Sequence, residues 1–444
     1  MRRVLVLGAG LVSGPLVRYL LAREDLRVTI ATRRPARAQA LVAGHERGAA
    51  VALDAGDVAA TRGLVSSADL CISLLPPALH AGIARLALEE CKHFVTTSYL
   101  SEEMKQFDGP VREAGLTFLN EVGLDPGIDH MSALRIVHRI HGRGGTVTSF
   151  RSYCGGLPAP EANTNPWGYK FSWSPRGVVL AGRNSARYLE DAQERCLPGD
   201  QLFSHHWFVD VLGFGELEAY YNRDALPYIE TYGLDGVQDM LRATLRYPGW
   251  SYTMQKLADL GYFDVEELPE SPATFGELTR ALAHLPAGSD LKTELARVLA
   301  VDVHSDTMMR LEWLGLLGDE LIAWGAAQKR SPLNGLAGRM LEKMPFAPDE
   351  RDLCVMQHEI EGRYSSGQCE RVTSTLVAYG EPGGDSAMAR TVGLPAAIAA
   401  TMILDGRISE RGVLLPIAPG VYGPILDELA DAAGVVFAER VTVS

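Results

Sequence analysis

Cysteine is scarce and unpatterned in this chain of 444 residues: Cys71, Cys91, Cys154, Cys196, Cys354 and Cys369 include no C-x-x-C pair. Disulfide scaffolds belong to short secreted chains and structural zinc to close-set thiols, so neither is expected. His138 with His141, and His205 with His206, lack acidic or thiol companions at ligand spacing and are read as solvated or packing residues. No metal is expected. The chain also lacks a run of about 18 uncharged apolar residues. Met1-Arg2-Arg3-Val4-Leu5-Val6 leads straight into a strand rather than a signal sequence, so the expectation is a cytoplasmic protein with no membrane partner. Basic excess is missing too. With 42 Lys and Arg against 55 Asp and Glu, a net charge of -13 argues against sequence-independent binding to nucleic acid. An anionic small molecule would need a local cluster of arginines.

What is present is a chain with 47% hydrophobic and 22% charged residues, long enough for two or three cores. Residues 3–125 alternate β-rich runs (Val4–Leu7, Val28–Ala31, Ala50–Leu53, Leu70–Leu74, Phe94–Thr97, Leu116–Leu119) with helical stretches, the pattern of a doubly wound, mostly parallel sheet. A helix is expected around His130–His141 and a strand over Val147–Tyr153, followed by a Gly-, Pro- and aromatic-rich loop from Cys154 to Arg176. Within it, alternating Trp167, Tyr169, Phe171 and Trp173 read as a strand packed at a domain junction rather than a nucleic-acid stacking surface. Helical periodicity is read over Val237–Leu245 and Phe275–Leu282. Two strands, Asp352–Glu361 and Glu370–Tyr379, suit a hairpin, and Met388–Leu404 and Ile425–Ala433 suit helices. The expected fold is α/β: a Rossmann domain over 1–126 to which 388–444 returns, a mixed α/β substrate domain over 127–223 and 318–387, and a small helical insertion over 224–317.

Gly8-Ala9-Gly10-Leu11-Val12-Ser13-Gly14 directly follows the first strand and opens a helix with an apolar face of Leu16, Val17, Leu20 and Leu21. The two glycines allow a tight turn and close approach of backbone N–H groups to a pyrophosphate, which the helix N-terminus favours; Ser13 stands where a third glycine is usual. A site preferring NAD would place Asp or Glu at the end of the second strand, but this chain has Thr32-Arg33-Arg34 there. Guanidinium groups suit a ribose 2′-phosphate, so NADP(H) is the expected cofactor, unless these arginines are merely solvated.

Several runs resemble the glutamate-forming, NADP-dependent saccharopine dehydrogenases, also called saccharopine reductases: Leu74-Leu75-Pro76, Thr97-Ser98-Tyr99, Glu121 to His130, Ser152 to Glu161, Gly168 to Gly177, Asn222-Arg223-Asp224, Thr244 to Tyr247, Gly393 to Ala396 and Val421 to Leu426. The run Cys-Gly-Gly-Leu-Pro-Ala-Pro-Glu from Cys154 is the most specific. Pro77, Tyr221 and Ala225 depart from the family's usual residues. The resemblance implies interconversion of saccharopine with L-glutamate and 2-aminoadipate 6-semialdehyde in lysine metabolism. It also implies cofactor contacts at Asp54, Leu75, Pro76, Ser98, Val122, Leu124 and Ser174, beside Gly8, Gly10, Leu11, Val12, Ser13, Thr32, Arg33 and Arg34. Tyr99, Asp125 and Cys154 are implied at the reacting carbon, and Ser98, Tyr99, Asp125, Arg223 and Arg246 at the substrate, whose three carboxylates call for cations. Asp125 also reads as a turn residue, Cys154 and Tyr99 as packing residues, and Arg223 as a partner of Asp224 or Asp235. A reductase of another amine conjugate, such as carboxyspermidine, and a non-catalytic NADP(H) sensor stay open. So do the physiological direction and the oligomeric state, a homodimer included.

Overall fold

The computed structural model describes residues 1–173, 175–269, 271–325 and 329–444. It divides into two compact units: Met1–Arg143 with Ala378–Phe437, and Gly144–Val377 with Ala438–Ser444.

The first unit is the expected doubly wound sheet. Strands β1 (Arg2–Leu7), β2 (Leu26–Thr32), β3 (Gly48–Ala52), β4 (Leu70–Ser73), β5 (His93–Thr96) and β6 (Thr117–Leu119) alternate with helices α1 (Ser13–Ala22), α2 (Pro35–Val42), α3 (Val58–Ser66), α4 (His80–Glu89), α5 (Glu102–Lys105) and α6 (Asp108–Glu113). The spatial order is β6-β5-β4-β1-β2-β3, every pair parallel, with Gly412–Leu414 added in parallel beside β6. β1 and β4 are fully buried over Val4–Leu7 and Leu70–Ser73, as central strands covered by helices on both faces must be. The order reverses between β1 and β4, the crevice where open α/β sheets bind ligands beyond their carboxyl ends. Helix α7 (Ile128–Gly142) completes this part.

The chain returns with helix Ala387–Leu404, which is long and apolar enough to cross a membrane but has 83% of its length buried in the protein. It packs on α1 so closely that a side chain at Gly393 would lie 2.5 Å from the Val12 carbonyl. That contact accounts for Gly393 in the Gly-Leu-Pro-Ala run.

The second unit is a mixed sheet. Strands β7 (Gly145–Pro158), β8 (Ala186–Glu190), β9 (Gln193–Leu197), β10 (His206–Val211), β11 (Gly215–Tyr221), β12 (Asp239–Arg246), β13 (Asp352–Tyr364) and β14 (Cys369–Tyr379) run β10-β11-β12-β7-β13-β14, with Ala438–Val443 beyond β14. Helices Trp250–Asp259, Phe275–Leu282, Leu291–Val298, Asp306–Leu314 and Pro332–Lys343 accompany it.

Several sequence expectations are corrected. Val237–Leu245 is no helix. Asp239–Arg246 is a central strand paired with β11 and β7, and burial of residues on both faces removed the alternation that marks a half-exposed strand. The strand expected over 147–153 continues through Cys154 to Pro158, because β13 pairs with its whole length. Trp167–Trp173 forms no strand: Gly168 at φ +62° turns the chain, and Trp167, Tyr169 and Phe171 are buried, Trp167 and Tyr169 against Trp250 and Phe171 against Tyr169. Residues 128–142 belong with the first unit rather than the second, and 438–444 with the second rather than the first, since the latter pair along β14. The helices expected over 224–317 begin in earnest at Trp250 and run to Lys343, within the same compact unit as the second sheet.

Candidate active site

At the head of β1, Gly8 has φ +110°, and a side chain there would meet the Leu74 carbonyl at 2.9 Å. Gly10 faces open space instead. The loop thus needs glycine once for conformation and once to leave its surface bare for an approaching group, which fits a dinucleotide pyrophosphate at the start of α1. Ser13 is fully buried; its Oγ accepts from Gly10 N–H at 3.0 Å and lies 3.4 Å from the Gly8 carbonyl. It braces the turn from within, and Leu11 is 59% exposed on the outer side with Val12 half-buried beneath it.

Arg33 and Arg34 stand exposed beyond β2, with no acid at the strand's end; the Thr32 hydroxyl accepts from Arg34 N–H at 3.3 Å and shapes the turn. Asp54 follows β3 and accepts from Gly56 N–H at 3.0 Å. Leu75, half-buried against the core, and the exposed Pro76 form the shoulder after β4. Val122 and Leu124 have buried side chains, so they can offer a ligand only backbone. Ser174 lies outside the described residues.

The candidate reactive end of this unit is built from the segments after β5 and β6. The Tyr99 hydroxyl donates to Asp125 Oδ1 at 2.7 Å, so two residues 26 apart in sequence meet beyond the carboxyl edge of the sheet. Asp125 is a turn residue as well, and its carboxylate is engaged by Tyr99 from another segment.

A device that sequence reasoning missed holds these segments together. Glu121, buried and at φ +58°, accepts from Leu100 N–H at 2.8 Å through Oε1 and lies 2.7 Å from His130 Nε2 through Oε2. One carboxylate therefore ties the residue after Tyr99 to the helix that follows Asp125. Gly127, at φ +144°, lets the turn close, since a side chain there would overlap Gly123 O at 2.1 Å.

His80 was also missed. It lies 2.8 Å from Ser98 Oγ through Nε2, and burial pushes its imidazole down to about 4. The signal was a lone histidine just past the carboxyl end of a parallel strand, which pairwise inspection of histidines overlooks.

In the second unit Cys154 is half-buried in β7, opposite Thr244 of β12 and Met356 of β13. Arg246 ends β12, only 5% exposed, with its guanidinium 4.9 Å from the Tyr169 ring centre and 5.5 Å from that of Trp250. Nη1 donates to the Leu245 carbonyl at 2.7 Å, while the buried Nε hydrogen finds no acceptor among the described residues. A buried cation with an unused donor suits an anionic ligand. Arg223 is exposed at φ +60°, and Asp224, one of the acids weighed as its partner, accepts from Arg187 Nη1 at 2.8 Å.

Residues 4–119 match the family model described as the saccharopine dehydrogenase NADP binding domain, and residues 123–435 match the saccharopine dehydrogenase C-terminal domain. The chain belongs to the saccharopine dehydrogenase family. It is 38% identical, over 99% of both chains, to the saccharopine dehydrogenase [NADP(+), L-glutamate-forming] of Pyricularia oryzae, and 36% identical, again over 99% of both, to that of Saccharomyces cerevisiae. It is also 38% identical to the mouse mitochondrial alpha-aminoadipic semialdehyde synthase, of which it covers 48%. The apo saccharopine dehydrogenase (L-Glu forming) from Saccharomyces cerevisiae superposes with a TM-score of 0.90 at 36% identity, all of each chain covered.

Proposed function

We propose that this protein is an NADP-dependent oxidoreductase that interconverts saccharopine with L-glutamate and 2-aminoadipate 6-semialdehyde. The observation carrying the reading is full-length identity to relatives bearing that activity in their names, in a chain that has the Tyr99–Asp125 pair beside a dinucleotide loop without an acid after β2.

Bound NADP would accept a hydride from the lysine-side carbon attached to the secondary amine; the rest falls to the protein. Asp125 holds the amine proton by a charge-assisted hydrogen bond, and the Tyr99 hydroxyl orients that carboxylate. Water then adds to the imine carbon, and the C–N bond breaks to release glutamate and the semialdehyde. Arg246 and Arg223 suit the substrate's carboxylates. A carboxylated polyamine would instead bring ammonium groups toward them. Cys154 in this reading is a packing residue of the sheet beside the substrate rather than a nucleophile.

The test is nicotinamide absorbance with saccharopine and either NADP or NAD, followed by identification of the amino acid formed. NADP reduction with glutamate release supports the reading. Tight NADPH binding without turnover moves the assignment to another amine conjugate.

A further inference from the structure

We propose that His80 is a positioning residue for this reaction, whose Nε2–H fixes the Ser98 hydroxyl as a hydrogen-bond donor toward the bound ligand.

The geometry is a closed set of hydrogen bonds. His80 opens α4; Nδ1 lies 2.8 Å from Ser73 Oγ at the end of β4, and Nε2 lies 2.8 Å from Ser98 Oγ and 3.5 Å from Thr96 Oγ1. Ser73, His80 and Thr96 are all at most 5% exposed, whereas Ser98 is only half-buried. The imidazole is held neutral by desolvation, so one ring nitrogen donates and the other accepts.

Two observations decide which. The Thr96 hydroxyl spends its hydrogen on the Ser73 carbonyl at 3.0 Å, so toward Nε2 it can only accept. The buried Ser73 hydroxyl has no acceptor other than His80 Nδ1 among the described residues, and a hydroxyl left unsatisfied there would be costly. The second requires the tautomer with hydrogen on Nε2, and the first agrees with it. Ser98 Oγ then accepts from His80 and keeps its own hydrogen for something else. Its backbone is committed already, with N–H to Thr96 Oγ1 at 3.3 Å and the carbonyl to Glu121 N–H at 3.2 Å.

Ser98 immediately precedes Tyr99, so the hydrogen His80 preserves is presented beside the Tyr99–Asp125 pair. Its acceptor would be an oxygen, either a substrate carboxylate or the nicotinamide carboxamide. The inference rests on the functional reading above for the identity of the ligand only.

The first test needs no substrate. The ¹⁵N shifts of the His80 ring in the full-length protein are expected to show a protonated Nε2 and a bare Nδ1; a protonated Nδ1 overturns the proposal. The second is a double-mutant cycle on saccharopine turnover and NADPH binding. His80→Leu and Ser98→Ala are each expected to lower kcat/KM roughly tenfold, the scale of one hydrogen bond, with the double variant no worse than Ser98→Ala alone. His80→Gln, which can place an amide N–H toward Ser98, is expected to recover most of the loss. Multiplied losses in the double variant would mean a merely structural role and refute the proposal. Loss in saccharopine KM points to a substrate carboxylate, and loss in NADPH affinity to the carboxamide. If His80→Leu does not fold, Ser73→Ala removes the hydroxyl that holds Nδ1 bare, and its effect is expected to vanish on the Ser98→Ala background. An inactive wild type would instead fault the functional reading while leaving the ring tautomer measurable.

Discussion

Replacing Glu121 by alanine tests how the reactive end of the first unit is held. The substitution removes the acceptor of Leu100 N–H at 2.8 Å and the partner of His130 Nε2 at 2.7 Å. His130 is fully buried and cannot recruit bulk water. Leaving a buried polar group unpaired costs about 1–3 kcal/mol, so the two together should cost roughly 2–6 kcal/mol. For a unit of about two hundred residues this corresponds to a fall in Tm on the order of 10 °C. The loss should also reach catalysis, because Leu100 follows Tyr99 directly and His130 sits just after the turn that carries Asp125. We expect kcat/KM to fall by at least about tenfold while Kd for NADPH stays within about threefold, if the cofactor is held by the loop at Gly8 and by Arg33. Glu121→Gln keeps an acceptor for Leu100 and should recover part of both losses. The assays are differential scanning calorimetry and steady-state turnover on the same preparations. A Glu121→Ala protein with unchanged Tm and unchanged kcat/KM would refute the clamp.

Arg33→Asp should weaken NADPH binding by roughly ten- to a hundredfold and NADH binding far less, measured by fluorescence titration, if a guanidinium meets the 2′-phosphate; equal losses would remove Arg33 from that role. Gly127→Ala should abolish soluble expression or activity, since backbone atoms of Gly123 occupy the space a side chain needs and φ +144° disfavours one; a variant with native Tm would contradict the geometry. On acidification, the unfolded chain protonates its histidine near 6.5 while folded His80 stays neutral to about 4, so stability falls as pH drops through that window. That single group should account for about 3 kcal/mol, and His80→Gln should flatten the acid limb of the stability profile by that amount; parallel profiles for the two proteins would count against it.

Much of the first unit was legible because its strands are short, apolar and separated by amphipathic helices, and because a glycine turn is written into the sequence at Gly8 and Gly10. The second unit was legible only in part. Strand β12 carries Arg242, Thr244 and Arg246 among apolar residues and is buried on both faces, so neither period of two nor of 3.6 stands out, and a helix was read instead. Strand Gly412–Leu414 is three residues long and gains its identity only by pairing with β6.

The site shows the same division. Tyr99 and Asp125 could be chosen from resemblance and from their place after parallel strands, and the structure brings them together. Glu121 and His80 act through partners brought near by tertiary pairing, so no local pattern marks them. Ser13 was read as a ligand contact but spends its hydroxyl inside the turn, a role visible only once the Gly8 and Gly10 backbone is in place.

The most direct test of the account follows a single hydrogen. Saccharopine deuterated at the lysine-side carbon next to nitrogen, incubated with the protein and NADP, should deliver its deuterium to the nicotinamide and release unlabelled glutamate. If the deuterium stays in the amino-acid product and lysine is released, oxidation occurs on the glutamate side of the amine and the account is contradicted.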